Sequence, residues 1–436
     1  MTPFKNTNHS IQTSLAGLLF ALTGVLIATS FFNTASSGIP VFYATILIPI
    51  ISGIRPRPIF LAAKARGPEL WIYFMVATEV IALISVTLIQ TIWFSLSSDS
   101  QIIHVAARIM FLAYFAICVR YVRDGIAWNT MLWLRRLLIA AFFYGVYQVP
   151  AKLLGLPLFL DWLRNNKSYM NYGYDAAGWT SMIRSTAIFA EPSQATIPMV
   201  VAILLNLYLP LKRTSRRIGW LSIFLFTLTS ASRSMWLTTA GLIVGYMLSR
   251  VKRLGPWLSS RRLIPITLLL ITYTLVPAWA LIGSQTRDAD LSQQERAGGI
   301  VLGIFMIRDS PLIGFGWNSA SVLSDNYLRT AGLPNAMNIE GGFIQNMLVS
   351  YWQQAGLPGV ILALLPFVVV WRWSTASSGL KWGTLCAFLV AGGVGGDFGY
   401  LSLTWLWMAL LVNVGTITDP RAKILQNNPT SQFILT

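Results

Sequence analysis

Acidic residues are scarce in this sequence. There are 15 Asp and Glu against 32 Lys and Arg, and charged residues make up 11% of the 436 positions. Soluble globular domains carry about 25%. That shortfall, with 55% hydrophobic residues, excludes an ordinary water-soluble domain. The repeated apolar runs of about 20 residues predict transmembrane helices rather than a barrel. Histidine is rarer still: His9 lies in the N-terminal tail and His104 at the start of an apolar run. With no His/Cys cluster, no transition-metal site is expected, and no cofactor. The two cysteines, Cys118 and Cys386, lie inside apolar runs, which predicts packing residues rather than a disulfide framework. The chain has no phosphate-binding loop of the nucleotide-hydrolase type. Any reaction it performs must therefore use a substrate that arrives already activated. A small-residue cleavage site is missing after the first apolar run, so the expectation there is a first transmembrane helix and not a removed signal peptide.

What is abundant is positive charge, a formal +17. It does not point to nucleic acid, because the basic residues cluster in short links between apolar runs. Arg55-Pro-Arg57 with Lys64-Ala-Arg66, the stretch from Arg120 to Arg136, Lys212-Arg213-Thr-Ser-Arg216-Arg217 and the stretch from Arg250 to Arg253 are such links. By the positive-inside rule these links face the cytoplasm, and roughly two thirds of the Lys and Arg fall on that side. The alternation predicts an all-α polytopic membrane protein, a single membrane domain over 1–436, with about twelve transmembrane helices and both termini cytoplasmic. The expected spans are 13–32, 39–54, 69–94, one ending at 120, 137–154, one following Pro192, 218–230, one ending at 250, 263–282, 343–371, 382–396 and 400–416. Two large periplasmic loops are expected, 155–190 and 283–342, the second with a helical stretch from Glu295 to Ile307.

The stretch Arg184-Ser-Thr-Ala-Ile-Phe-Ala-Glu191-Pro192-Ser193 places a cation, a carboxylate and a proline at the mouth of a helix. Charge near lipid is kept where it is used or paired. On residue chemistry alone this is either a structural Arg–Glu pair or part of a site. Arg233, in Thr229-Ser-Ala-Ser232-Arg233-Ser234, lies opposite the basic side with no acidic neighbour in sequence. It is either an interfacial arginine with its head in the headgroup layer or an anion ligand. The aromatics from Tyr169 to Trp179 and Trp317 suit both a membrane interface and stacking on sugar rings.

Taken in order, these segments resemble the bacterial O-antigen polymerase and ligase superfamily (Wzy- and WaaL-type proteins). Four stretches carry the resemblance along most of the chain. They are Arg184 with Phe189-Ala-Glu191-Pro192-Ser193; Ser232-Arg233-Ser234; Glu295-Arg296 with Pro311-Leu-Ile-Gly314-Phe-Gly316-Trp317-Asn318; and Gln345-Asn346 followed by Gly356-Leu-Pro-Gly359. The resemblance implies a GT-C-like fold in the bacterial inner membrane. It implies a glycan carried on polyprenyl diphosphate as substrate, with a chain-length regulator or export complex as partner. One departure matters. Gln345 stands where ligases commonly carry histidine, and a neutral amide can orient a hydroxyl but cannot take its proton. Polymerase activity is therefore expected ahead of ligase activity.

In that chemistry, breaking the sugar–diphosphate bond builds negative charge on the leaving group, which fixed cations stabilise. Arginine suits this by its permanent charge and planar fork. The implied diphosphate clamp is Arg233, Arg184 and Arg296, with Gln345 and Asn346 as further substrate-binding residues. The implied base toward the acceptor hydroxyl is Glu340, then Glu191. The competing readings are a ligase acting on lipid A or protein, a transporter without covalent chemistry, and a peptidoglycan polymerase. The charged signature expected of the last around an outer-loop aspartate is not apparent. A transporter would show charges near the bilayer midplane, whereas the candidate charges here fall at the outer ends of the spans.

Overall fold

The computed structural model describes residues 4–26, 30–34, 37–40, 47–52, 68–94, 99–159, 185, 187–189, 195–250, 291–317, 319–320, 323, 327, 344, 346–374, 376–394 and 401–413. Among these the helices are α1 (Phe4–Val25), α2 (Ile48–Ile51), α3 (Pro68–Phe94), α4 (Asp99–Tyr121), α5 (Asp124–Leu154), α6 (Thr196–Tyr208), α7 (Arg213–Ser230), α8 (Arg233–Arg250), α9 (Leu291–Asp309), α10 (Met347–Trp373), α11 (Ser378–Val394) and α12 (Ser402–Asn413). Among the described residues four stretches are long and apolar enough to cross a membrane: Glu69–Ile92, His104–Tyr121, Asp124–Leu154 and Met347–Trp373. Shorter apolar helices, Ser10–Val25, Thr196–Tyr208, Ser378–Val394 and Ser402–Asn413, lie among them.

α3 shows what solvent this bundle is built for. Its buried stripe holds Glu69, Ile72, Met75, Glu79, Leu83, Val86 and Gln90, while Leu70, Trp71, Phe74, Ile81, Ile84, Leu88, Ile89 and Ile92 are exposed. A helix in water turns its polar residues outward. This one hides its two acids and Gln90 and shows mainly apolar side chains, with the hydroxyls of exposed Thr78 and Thr91 bonded back to their own helix, which is the arrangement a lipid surround demands.

α12 is the central post. Every residue from Ser402 to Asn413 is buried, and α1, α4, α5, α6 and α10 pack around it. Polar side chains at its two ends find partners. Ser402 Oγ donates to Thr23 O at 2.8 Å. Asn413 Nδ2 donates to Val119 O and Val122 O, closing the last turn of α4. Between them Trp407 Nε1 donates to Thr384 Oγ1. On the outside α8 runs along α11. The approach is close because Gly241 and Gly245 face it: a Cβ on Gly245 would stand 2.3 Å from Trp382 O. Small residues four apart allow this closeness in membrane helices.

Four expectations change. The expected first span, 13–32, ends as a helix at Val25, and Ser30–Phe32 belong to a strand. The expected second span, 39–54, is not one helix. An antiparallel hairpin of β1 (Ser30–Thr34) and β2 (Ser37–Pro40) ends inside it, and α2 is a single turn. Ile39 precedes a proline, which biases it to extended backbone, and Gly38 beside it disfavours helix. Among the described residues the all-α expectation thus holds apart from this hairpin. The fifth helix begins at Asp124 instead of 137. Arg135 can enter it because Nε and Nη2 both bind Asn206 Oδ1, at 3.1 and 2.9 Å, and Nη1 binds Ser215 Oγ at 3.1 Å. The tenth expected span is interrupted at Ala355 and Gly356, which leave helical geometry. The ninth, 263–282, and most of 155–190 and 283–342 lie outside the described residues.

Gly245→Val should push α8 and α11 apart at a cost of about 1–3 kcal/mol, the usual price of overpacking a full interface. Thermal unfolding in detergent should show a lower midpoint for this variant and none for Ile243→Val, at an exposed position of the same helix.

Candidate functional site

The helix ends divide into two sets. One set carries the basic links and is called here the Arg-rich end. The other carries the turns at Ser185–Phe189, Ser232–Ser234 and Pro311–Trp317, and is called the turn end.

At the turn end the segment Ser185–Phe189 is held by side-chain and backbone bonds. Gln148 of α5 grips Ala187 from both sides: its Nε2 donates to Ala187 O at 2.7 Å and its Oε1 accepts from Ala187 N at 2.9 Å. Ala187 takes a left-handed φ of 53°, a strained setting for a residue with a Cβ that this grip stabilises. Ser185 N donates to Thr229 O at 3.1 Å. That bond ties the stretch after Arg184 to the last turn of α7, immediately before Ser232-Arg233-Ser234. Ser232 Oγ and Ser234 Oγ are 2.8 Å apart, and Ser234 Oγ is 3.3 Å from Thr196 Oγ1. The first turns of α6 and α8 therefore meet, and Arg233, exposed, stands in the first turn of α8. Helix N-termini and a guanidinium of this kind favour anions.

The other two family-like stretches are also brought together. The turn Pro311–Trp317 closes onto the interruption of α10. Phe315 N donates to Gln353 O and Gly316 N to Gln354 O, each at 2.9 Å, while Leu357 N donates to Pro311 O at 3.1 Å. Trp352 Nε1 donates to Pro311 O as well. Gln90 of α3 seals the junction, donating to Ile313 O and Gln354 O. Gly314 and Gly356 have φ of 73° and 62°, and a Cβ on either would lie against the other segment's backbone, 2.6 and 2.2 Å away. The glycines are there because two backbones meet. Behind the turn, Leu302 and Met306 of α9 pack with Ala320 and Ile344 in a small second core. Tyr327 borders it. Burial, with Asp309 beside it, pushes the Tyr327 phenol up to about 12.

Asn346 is buried at the start of α10. Its Oδ1 accepts from Val349 N at 3.1 Å and its Nδ2 points to Gly393 O at 3.4 Å. Both ends of the amide are engaged inside the protein, and Oδ1 caps the start of α10. Arg296 lies in α9. Arg184, Glu191, Glu340 and Gln345 lie outside the described residues. Among the described residues no three His, Cys, Asp or Glu side chains are grouped to hold a metal ion.

Sequence reasoning did not single out Glu79 and Arg108. Glu79 Oε2 lies 3.8 Å from Arg108 Nη2, and the two side chains are 1% and 4% exposed. The guanidinium also lies over the rings of Tyr351, at 5.3 Å, and Trp405, at 4.8 Å. Tyr351 in turn meets Trp317 edge to face, so the pair connects to the turn on α10. Glu79 is about 15 Å along the helix axis from Glu69, close to half of a hydrocarbon layer about 30 Å thick. A single acid inside an apolar run was the available signal. At the Arg-rich end Glu69 pairs with Arg120, at 3.0 Å, and with Arg123, which fixes α3 to the corner between α4 and α5.

No family model matches the chain, and no characterised protein matches its sequence. The family resemblance rests on the motifs and on where they lie.

Gly356→Ala should lose at least about 2 kcal/mol, from the left-handed φ and the backbone contact together. Amide exchange at Phe315 and Gly316 should rise with it. Unchanged protection there would mean that the turn holds without this glycine.

Proposed function

We propose that the chain is a polysaccharide polymerase of the inner membrane of bacteria, with about twelve crossings and both termini cytoplasmic. It joins oligosaccharide repeat units carried on polyprenyl diphosphate, and its partners are membrane lipid and a chain-length regulator or export complex. The observation that carries this reading is the hydrogen bond from Ser185 N to Thr229 O. It sets Ser185, the residue after Arg184, beside the last turn of α7, just before Ser232–Ser234. Two segments that resemble the polymerase motifs, far apart in sequence, are neighbours in space. The Pro311–Trp317 turn lies at the same end.

The reaction in this reading is a glycosyl transfer. The acceptor hydroxyl of a new lipid-linked unit attacks the anomeric carbon of the growing chain. The bond from that carbon to the diphosphate oxygen breaks, and polyprenyl diphosphate leaves with the bonding pair. Arg233, Arg184 and Arg296 stabilise that charge. Glu340, with Glu191 as the second candidate, receives the hydroxyl proton. Gln345 orients the acceptor. Asn346, which also caps α10, is the further substrate-binding candidate.

A second reading has an observation in its favour. The Glu79–Arg108 pair buried within the apolar helices is the kind of feature a transporter uses near the midplane. A ligase acting on lipid A or protein is the remaining alternative.

The test is an assay of the purified chain with polyprenyl-diphosphate-linked repeat units, read as a ladder of products. Arg233→Ala should slow the ladder by on the order of 10²-fold or more. Glu340→Gln should slow it by about 10²-fold or more as well, with folding intact. A ladder that survives Glu340→Gln moves the base to Glu191. Transfer only when lipid A or protein is supplied makes the chain a ligase. No covalent product with either acceptor leaves transport.

A further inference from the structure

The Glu79–Arg108 pair lacks the geometry of a structural lock. Buried ion pairs that stay ionised need close, hydrogen-bonded contact that satisfies the remaining lone pairs. Here Oε2 stands 3.8 Å from the nearest guanidinium nitrogen, beyond hydrogen-bond reach. Oε1 is buried with no hydrogen-bond partner among the described residues. A carboxylate held this way in an apolar layer carries a large desolvation cost, and a proton on Oε1 removes it.

Neutralising one member of a buried pair ordinarily strands the other. Arg108 is protected from that. Its guanidinium lies over Tyr351 and Trp405, and a cation over desolvated aromatic faces keeps a favourable interaction whatever the state of the carboxyl. The pair can therefore lose its negative charge without leaving a bare cation.

The surroundings have the same character. α3 packs on α4 and on α10. From α4 the groups on this seam are Arg108 itself and His104, about one turn toward the turn end. Tyr114 turns to Thr23 of α1. From α10 the facing group is Tyr351. On α3 itself, Tyr73 lies toward the Arg-rich end with its hydroxyl buried and unpartnered among the described residues. Beyond it comes Glu69 with Arg120 and Arg123. Polar groups thus recur along the α3–α4 seam from one end of the bundle to the other.

We propose that Glu79 is a proton-binding site inside the membrane. Oε1 takes a proton from hydronium, leaving water and a neutral carboxylic acid, and returns it in the reverse step. Arg108 stays charged on its two rings throughout. The site is separate from the polymerase chemistry at the turn end and stands whether or not that reading holds.

The test uses the full chain in lipid nanodiscs and infrared difference spectra across the pH range in which it stays folded. Wild type should show a carbonyl band of a protonated carboxyl in an apolar setting, growing as pH falls. Glu79→Gln should delete that band, and Glu79→Asp should move it, which carries the test if the amide variant does not fold. Arg108→Lys should keep the band with a shifted midpoint. The same band in Glu79→Gln as in wild type would assign it to another carboxyl and overturn the proposal. So would a wild type in which no such band titrates, since Glu79 would then hold one state throughout.

Discussion

Everything in this bundle depends on one constraint: a polar group placed in hydrocarbon must find its partner within the protein. α3 meets that demand at three levels of one stripe. Glu69 is matched by two arginines at the Arg-rich end. Gln90 reaches two backbone carbonyls at the turn end. Glu79, between them, is matched only loosely by Arg108. The helix is thus anchored firmly at its ends and weakly in its middle. That distribution lets a central charge change state while the frame around it stays fixed.

The same constraint explains how the turn end is assembled. An irregular segment can lie against a membrane helix only if its backbone groups are answered there. The interruption of α10 at Ala355–Gly356 frees carbonyls at Gln353 and Gln354, and the turn Pro311–Trp317 supplies the donors. The break and the turn therefore require each other. Glycines at 314 and 356 are the local consequence, because side chains would hold the two backbones apart. Gln148 plays the corresponding part for Ser185–Phe189, offering a donor and an acceptor to one peptide unit.

Much of the helical frame was legible in the sequence because burial in lipid leaves a simple signature. Apolar runs broken by basic links located α3, α4, α10, α11 and α12 to within a few residues. Legibility failed where the deciding partner is distant in sequence. Nothing near Arg135 announces that Asn206 and Ser215 will hold it, so a basic link was expected where α5 already runs. Nothing near Glu79 announces Arg108. The hairpin was hidden by composition: Phe31, Phe32 and Ile39 are apolar enough for a span, and the extended bias of Ile39 before Pro40 was outweighed. The motifs at 311–317 and 356–359 were visible as stretches, but their mutual contact was not. Asn346 was noticed for its place beside Gln345, but its capping of α10 was not visible.

How the cations are engaged bears on where an anionic substrate would be met. At the Arg-rich end several arginines are engaged by the protein, while Arg213 and Arg217 stand exposed. Arg120 and Arg123 go to Glu69, Arg135 to Asn206 and Ser215, and Arg216 to Leu209 O. Arg136 lies over Trp133 and Arg372 over Trp373. Cations so engaged hold helices together. At the turn end Arg233 is exposed in the first turn of α8, and no carboxylate among the described residues pairs with it. A guanidinium exposed beside two helix N-termini raises the local potential for anions. An anionic leaving group would meet less competition there than anywhere among the engaged arginines. Arg233 thus stands exposed beside the first turns of α6 and α8, where an anionic group could reach it.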